Sequence, residues 1–387
     1  MDLTTRAIDI LGQLVGFDTT SHLSNLDLIQ WVETYLDHLG VPHRRVVNAD
    51  GTKSNLIATL GPNIPGGVVL SGHTDVVPVV GQAWDTDPFV LTEKDDGRLY
   101  GRGTCDMKGF LALALAAAPD LLAANLRKPV HLAFSYDEEI GCLGSPAMIA
   151  TLVAEVPAPA FVVVGEPTNM EAVNGHKGIS TYRVTVTGHE AHSSLTHLGV
   201  SAVMESIPLL ADLKALADRL EVEADPLSPF LPGHATLTIG LLNGGTAGNI
   251  LARECTFQFD LRCPAGQDPD TILAPFRTKV LELDQALKSR FAECGAVLVQ
   301  GAGTPPLTPE PDSAAEAFVR RITGDNGPSR VVSYAAEAGQ FQEAGFSTVI
   351  CGPGSIEQAH QPNEYVERQQ IERGAQFMVR LIAWACE

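Results

Sequence analysis

Histidine and carboxylate side chains recur in this sequence directly after apolar, strand-like runs. The run GGVVLSG ends at Gly72 and is followed by His73 and Asp75. Because side chains two residues apart on an extended backbone face the same way, both can address one site. A metal-bound imidazole usually passes its second N–H to a carboxylate, a role open to Asp75. A turn at the strand end explains the same pattern, so the pair alone leaves both interpretations open.

Asp106 lies at the predicted start of a helix, in the segment GRGTCDMKGF. The glycines allow a close approach of the backbone, but the dinucleotide-binding pattern G-x-G-x-x-G fails because Asp106 itself occupies the third glycine position. A carboxylate in the first helical turn is also an ordinary helix cap. Cys105 beside it is interpreted as a packed small side chain rather than a ligand.

Four more acidic or histidine side chains follow strands or lie in loops. Glu138 and Glu139 come just after the run LAFSY. Since neighbouring side chains diverge on an extended backbone, one could bind a metal ion while the other addresses a water. A solvated acidic loop is the alternative. Glu166 follows the apolar strand FVVV, and His360 lies in a Gly- and Pro-rich loop, where the sites of open parallel sheets are found.

Several carboxylates held close together require a cation. Two like charges about 4 Å apart repel by about 4 kcal/mol at an effective dielectric constant of about 20. Three carboxylates, with neutral histidines, place three negative charges against the four positive charges of two divalent ions. One positive charge is then left to bind a water and lower its pKa. Mixed histidine and carboxylate ligands favour zinc, with cobalt or manganese as alternatives.

The order of predicted elements divides the chain into three segments. Residues 1–175 alternate strand-like runs with helical stretches, which predicts an α/β domain with a mainly parallel sheet. Residues 176–303 read β-α-β-β-α-β, the ferredoxin-like α+β arrangement. The helix-plus-strand pattern resumes in residues 304–387, after a proline-rich return segment. We therefore predict a catalytic domain formed by the outer segments, with a smaller domain inserted into it.

Composition excludes several classes of protein. The chain has 26 Lys and Arg against 46 Asp and Glu, a net charge of −20, which argues against nucleic-acid binding. A hydrophobic fraction of 45% is enough for a large core. The longest apolar run, residues 110–118, is about half of the ~20 residues that a membrane span needs. Seven cysteines without a C-x-x-C pair, and no apparent secretory signal, predict reduced thiols and a cytoplasmic protein.

The chemistry-bearing segments together resemble the di-zinc amidohydrolase and aminoacylase-type metallopeptidase superfamily. The resemblance spans nearly the whole chain and implies a zinc-peptidase-like catalytic domain with an inserted lid domain through which two copies form a homodimer. It further implies that His73, Asp106 and Glu166 hold one metal ion, and that Asp106, Glu139 and His360 hold the other. The motifs that carry it are, in order, SGHTDVVP, GRGTCDMKG, DEEIG, GEPT, GHKG and GPGSIEQAHQPNEY.

The resemblance also implies roles for residues outside the ligand set. Glu138 is similar to the family's general base, and Asp75 to the residue that orients His73. His192, in GHEAHSS, matches a histidine that reaches the partner subunit's site and stabilises the oxyanion. A surface position is the alternative for this histidine.

Four further residues are interpreted as substrate contacts. Asn249 and Arg262 match family contacts, and the planar guanidinium suits a carboxylate. Glu337, in SYAAEAG, could pair with a substrate amine. Lys177, in GHKG, matches the deacetylase branch of the family. A lysine in a turn beside a strand, without a role toward a substrate, is the alternative.

The implied reaction is hydrolysis of the amide of an N-acetylated basic amino acid, with N2-acetyl-L-ornithine of arginine biosynthesis favoured. Deacylation of another small N-acyl amino acid, such as N-succinyl-diaminopimelate, or hydrolysis of a dipeptide is the enzymatic alternative. A metal-binding dimeric scaffold that lacks catalysis is the alternative from another class. The adjacent Glu138 and Glu139 argue against the scaffold, because binding a metal ion needs only one of them.

Overall fold

The computed structural model describes residues 1–387, and the chain splits into two compact units. Unit 1 comprises residues 1–175, 307–331 and 336–387. Unit 2 comprises residues 176–306 and 332–335. None of the helices combines the length and apolar character that a membrane span requires.

The helices and strands are numbered in chain order. The helices are α1 (Leu3–Val15), α2 (Leu26–His38), α3 (Lys108–Ala123), α4 (Ser145–Glu155), α5 (Ala202–Val222), α6 (Pro269–Arg290), α7 (Ala314–Thr323), α8 (Ala338–Glu343) and α9 (Arg368–Ala385). The strands are β1 (His43–Val47), β2 (Ser54–Leu60), β3 (Val68–His73), β4 (Thr92–Glu93), β5 (Arg98–Tyr100), β6 (Val130–Ser135), β7 (Phe161–Val164), β8 (Gly175–His176), β9 (Gly178–Thr187), β10 (Thr236–Gly244), β11 (Glu254–Cys263), β12 (Gly295–Thr304), β13 (Val331–Val332), β14 (Thr348–Ile350) and β15 (Tyr365–Glu367).

The central sheet of unit 1 has six strands in the order β1-β2-β6-β3-β7-β14. Strands β6, β3, β7 and β14 pair in parallel, whereas β2 pairs antiparallel with both β1 and β6. Every residue of β3, β6 and β7 is buried, as expected for strands covered on both faces. The predicted α/β class with a mostly parallel sheet is confirmed, and its antiparallel part is confined to one edge.

Helix α3 forms the centre of the core of unit 1. It is apolar all round, with residues 108–118 buried, as in a helix surrounded by protein. Two glycines let it lie close to strand ends. A Cβ at Gly165 would lie 2.0 Å from Cγ of Phe110, and one at Gly72 would lie 2.4 Å from Cε of Met107. These glycines therefore set the distance between α3 and the ends of β3 and β7.

Unit 2 is an antiparallel sheet covered on one face by two helices. Its strand order is β10-β11-β9-β12, and α5 and α6 supply the covering layer. The chain order β-α-β-β-α-β with this pairing is the ferredoxin-like topology. Residues alternate between buried and half-buried along β9, as expected for a sheet with one packed face. Tyr182 stacks on Phe259, whose ring meets Phe276 edge-on.

Replacing Gly165 with alanine should destabilise unit 1. The added methyl group would overlap the Phe110 ring, and overpacking of this kind typically costs about 1–3 kcal/mol. Urea unfolding followed by tryptophan fluorescence measures the change. The control is Gly240→Ala in β10, where an added Cβ would meet no atom within 4 Å. Equal unfolding midpoints for the two variants would contradict the packing argument.

Candidate metal centre

Three side chains, an imidazole and two carboxylates, lie at one edge of the central sheet, after neighbouring parallel strands. Strand β3 ends at His73, β6 leads into the loop with Glu139, and β7 is followed after one glycine by Glu166. The carboxyl ends of parallel strands meet at the same edge, which is where sites of such sheets form. Asp106 precedes α3, and His360 comes from the loop between β14 and β15.

These five side chains form two groups that share Asp106. In the first group, Nε2 of His73 lies 3.0 Å from Oδ1 of Asp106 and 3.8 Å from Oε1 of Glu166. In the second, Nε2 of His360 lies 3.3 Å from Oδ2 of Asp106 and 2.9 Å from Oε2 of Glu139. Within each group the candidate ligand atoms lie within 4.8 Å of one another. Asp106 directs one oxygen to each group, the geometry of a bridging carboxylate.

Two buried carboxylate oxygens in the centre lack a hydrogen-bond partner, Oε1 of Glu139 and Oε1 of Glu166. Burial raises the pKa of Glu166 well above its usual value, and the negative charge of Asp106 adds to this. Burial likewise raises the pKa of Glu139 to about 7. Such groups are costly to bury unless a cation compensates them. The donor set of two imidazoles and three carboxylates therefore fits divalent metal ions with a preference for nitrogen and oxygen ligands.

The two histidines have raised pKa values because carboxylates surround them. Burial alone would lower the pKa of His73, but the hydrogen bond with Asp106 and the charge of Glu166 outweigh it. Hydrogen bonds with Asp106 and Glu139 raise the pKa of His360 to about 10. For Asp106, burial opposes ionisation, yet its contacts with both histidines hold its pKa below the usual value.

Asp75 contacts the His73 ring and also the backbone of the neighbouring acidic loop. Nδ1 of His73 lies 2.9 Å from the backbone carbonyl of Asp75 and 3.6 Å from its carboxylate. A proton on Nδ1 leaves Nε2 free for a metal ion. The Asp75 carboxylate accepts hydrogen bonds from the backbone N–H of Glu138 (3.1 Å) and Glu139 (3.3 Å) and from the Ser21 hydroxyl (2.7 Å). No local sequence pattern indicates this second role, because it depends on contacts across the sheet.

Glu138 is an acidic side chain of the centre that belongs to neither ligand group. Burial raises its pKa to about 8; the charge of His73 opposes the shift, while Glu139, Asp106 and Asp75 add to it. The Cys142 thiol donates to Oε1 of Glu138 at 3.3 Å. A carboxyl group with a pKa near neutrality can both accept and release a proton at physiological pH.

Glu337 and Lys177 both have buried polar partners in the structure. Glu337 is completely buried, and its carboxylate accepts hydrogen bonds from the hydroxyls of Ser71 (2.6 Å) and Ser135 (2.7 Å). In unit 2, Nζ of Lys177 donates to the backbone carbonyls of Pro232 and His234. Contact of either side chain with a substrate stays a prediction.

Three other predicted residues lie in unit 2, where the structure brings two of their segments together. His192 forms an isolated bridge with Ile250, and the N–H of Ser193 donates to the carbonyl of Asn249 at 2.9 Å. The exposed His192 ring lies 2.8 Å from the Ser194 hydroxyl. Arg262, on β11, donates to Asp260 at 3.2 Å. The His192 and Arg262 side chains have local partners, and the predicted roles of all three residues toward a substrate stay predictions.

The sequence did not reveal the buried pair of Arg102 and Glu364 beside Asp106. Both side chains are 1% exposed, and Nη1 of Arg102 donates to Oε2 of Glu364 at 2.7 Å. The only sequence signal was the presence of these residues inside the two motifs that contain Asp106 and His360.

Metal binding to the metal-free protein should release protons and strengthen as pH rises. With a pKa of about 7 for Glu139 and about 10 for His360, both ligands carry protons near or below neutrality and must lose them to coordinate an ion. We expect the affinity for Zn²⁺ to increase from about pH 6 to about pH 8. Calorimetry in buffers of different ionisation enthalpy counts the released protons. A pH-independent affinity without proton release would contradict the raised pKa values of Glu139 and His360.

The chain is similar to known proteins over most of its length. Residues 69–384 match the model of peptidase family M20/M25/M40. The chain is 34% identical over 374 residues to an acetylornithine deacetylase of Proteus mirabilis (strain HI4320), covering 95% of this chain and 92% of that protein. It is 35% identical over 383 residues to an acetylornithine deacetylase of Myxococcus xanthus, covering 97% and 96%.

A solved structure has the same fold at low identity. The M20 family metallo-carboxypeptidase Sso-CP2 from Sulfolobus solfataricus superposes with a TM-score of 0.78 at 18% identity, covering all of both chains. Since the family model covers most of the chain and two relatives exceed 30% identity over nearly its full length, the chain belongs to peptidase family M20/M25/M40, a family of metallopeptidases.

Proposed function

We propose that the protein is a metal-dependent amidohydrolase that converts N2-acetyl-L-ornithine to L-ornithine and acetate. The observation that carries the reaction class is Glu138, a proton-transfer group of raised pKa beside two ligand groups that share Asp106. Membership of a metallopeptidase family and the names of the two curated relatives support the class and favour the substrate.

The proposed cofactors are two divalent metal ions, with zinc favoured over cobalt or manganese. His73, Asp106 and Glu166 would hold one ion, and Asp106, Glu139 and His360 the other. Support comes from the partnerless buried oxygens of Glu139 and Glu166 and from the two oxygens that Asp106 directs to separate groups. When bound, the ions would polarise the acetyl carbonyl and lower the pKa of a water.

Glu138 performs the proton transfers in this proposal. Amide hydrolysis needs a base that takes a proton from the attacking water and an acid that returns one to the leaving nitrogen. A carboxyl group with a pKa of about 8 can perform both steps at neutral pH. Asp75 keeps this loop in place through the backbone N–H groups of Glu138 and Glu139.

Recognition of the substrate and of a partner copy involves unit 2. We propose that Arg262 and Asn249 bind the substrate, that His192 serves the site of a partner subunit, and that two copies associate through unit 2. Exposed apolar side chains on α5 and β10 support this homodimer. These side chains are Met204, Ile207, Leu241 and Leu242. We also propose a cytoplasmic location, which the seven cysteines, none of them in a disulfide, support.

A substrate panel on the Zn²⁺-loaded protein tests the proposed reaction. We expect kcat/KM for N2-acetyl-L-ornithine to exceed the values for N-acetyl-L-methionine, N-succinyl-diaminopimelate and a dipeptide. At neutral pH the free ammonium of acetylornithine balances its carboxylate, whereas the acetylmethionine and succinyl-diaminopimelate substrates are net anions, which a protein with a net charge of −20 repels. Release of ornithine no faster than release of methionine would overturn the substrate. Hydrolysis of none of the four by the metal-loaded protein would overturn the reaction class.

Replacing Glu138 with glutamine should abolish most turnover without loss of metal. The amide keeps the size of the side chain but cannot take up a proton, and such transfers contribute typically about 10²- to 10⁴-fold to the rate. The measurements are kcat and metal content by elemental analysis. Glu139→Gln is the matched comparison and should lose metal as well as activity. Loss of metal from Glu138→Gln but not from Glu139→Gln would mean that the two roles are exchanged.

A further inference from the structure

Glu364 is a buried acid that belongs to neither ligand group. It lies four residues after His360 and directly before β15. Its side chain is 1% exposed, and the nearby Asp106 carries the same charge. A carboxylate in such a position is stable only when several donors compensate it.

Both oxygens of Glu364 are occupied by the segment that ends at Asp106. Oε1 accepts from the backbone N–H of Cys105 at 2.9 Å and of Asp106 at 3.1 Å. Oε2 accepts from the N–H of Gly103 at 3.0 Å and from the Arg102 guanidinium at 2.7 Å. The backbone carbonyl of Glu364 accepts from the N–H of Gly101 at 3.0 Å. One glutamate therefore takes five donors from a single segment, residues 101–106.

Arg102 extends these contacts to the other side of the centre. Its Nη2 donates to Oε1 of Gln82, and its guanidinium lies over the Trp84 ring at 5.1 Å. Nε2 of Gln82 donates to the backbone carbonyl of His360 at 2.9 Å. His360 has a left-handed backbone, with φ of 62°, which a non-glycine residue adopts only when its surroundings support it. A continuous chain of hydrogen bonds thus joins the main chain at Asp106 to the main chain at His360.

We propose that Glu364 is a positioning residue, which holds the backbone at Asp106 so that one oxygen of Asp106 faces each ligand group. The hydrogen-bonded chain through Arg102 and Gln82 fixes His360 relative to Asp106. The proposal rests on the proposed amidohydrolase function, because it concerns the metal site of that reaction. Metal ligands depend on such supporting contacts, whose loss typically lowers metal affinity by about 10- to 100-fold.

The test uses Glu364→Gln, which keeps the shape of the side chain but removes the charge and one acceptor oxygen. The matched control is Asp325→Asn. Asp325 likewise accepts two backbone N–H bonds, from Gly327 and Ala172, and a guanidinium from Arg330, and its side chain is 8% exposed. Asp325 belongs to no ligand group. The Asp325→Asn variant therefore shows how the loss of a carboxylate that caps backbone N–H groups changes stability without a direct effect on the metal site.

Co²⁺ titration of the metal-free proteins, the visible spectrum of the Co²⁺ forms and urea unfolding are measured for both variants. We expect Glu364→Gln to bind Co²⁺ about 10- to 100-fold more weakly, with an altered spectrum and a lower kcat at nearly unchanged KM. Asp325→Asn should keep the Co²⁺ affinity and the spectrum of the wild type, although it loses about as much stability toward urea as Glu364→Gln. Wild-type Co²⁺ affinity and spectrum in Glu364→Gln would overturn the proposal.

Gln82→Ala keeps the proposal testable if Glu364→Gln does not fold. This half-buried side chain contacts the Asp106 segment only through Arg102, so its loss should weaken Co²⁺ binding while the urea midpoint stays near that of wild type. Unchanged Co²⁺ affinity in Gln82→Ala would overturn the coupling between Asp106 and His360. Absence of hydrolysis in the wild-type protein would overturn the proposed function, whereas the Co²⁺ measurements would still decide the role of Glu364.

Discussion

The crowding of carboxylates around Asp106 is the constraint on which the rest of unit 1 depends. Glu138, Glu139 and Glu166 share this edge of the sheet with Asp106, and burial raises the pKa of each of the three. In a medium of low dielectric constant, like charges at these distances repel by several kcal/mol. The folded chain tolerates the arrangement because two histidines and the bound cations that we propose compensate the charge, and because surrounding contacts prevent the loops from moving apart.

The contacts that hold the loops together come from residues outside the two ligand groups. The apolar helix α3 packs against Gly72 and Gly165, next to the strand ends that present His73 and Glu166. Two further carboxylates, Asp75 and Glu364, cap the backbone of the loops that carry the ligands. The same residue type therefore serves two purposes in this centre. Some carboxylates face the site. Others accept hydrogen bonds from the backbone N–H groups of the first set and so hold that set in place.

The sequence indicated the first set and also Asp75 as a partner of His73, but the contacts of Asp75 and Glu364 with the loop backbones were not predicted, for a physical reason. His73, Glu139 and Glu166 follow apolar runs, and strand ends in a parallel sheet converge, so their meeting could be predicted from local pattern alone. The contacts of Asp75 with Glu138, and of Glu364 with Asp106, join residues 63 and 258 positions apart. Local periodicity contains no information on such pairs. The antiparallel pairing of β2 escaped prediction likewise, since its run of buried residues resembles that of a parallel strand.

In the proposed function, the reaction and the choice of substrate depend on different kinds of residue. In unit 1 the side chains of four of the five candidate ligands are at most 7% exposed, His360 being the exception, so a change at any of the four disturbs the packing of the sheet edge as well as the proposed chemistry. In unit 2, His192 is exposed and Arg262 is half-buried, and both hydrogen-bond to side chains two residues away, Ser194 and Asp260. Such side chains can change without disturbing a core, since surface substitutions typically shift stability by less than about 0.5 kcal/mol. A chain can therefore retain such a candidate centre while its substrate changes, which is why the motifs indicate the proposed reaction more firmly than the proposed substrate.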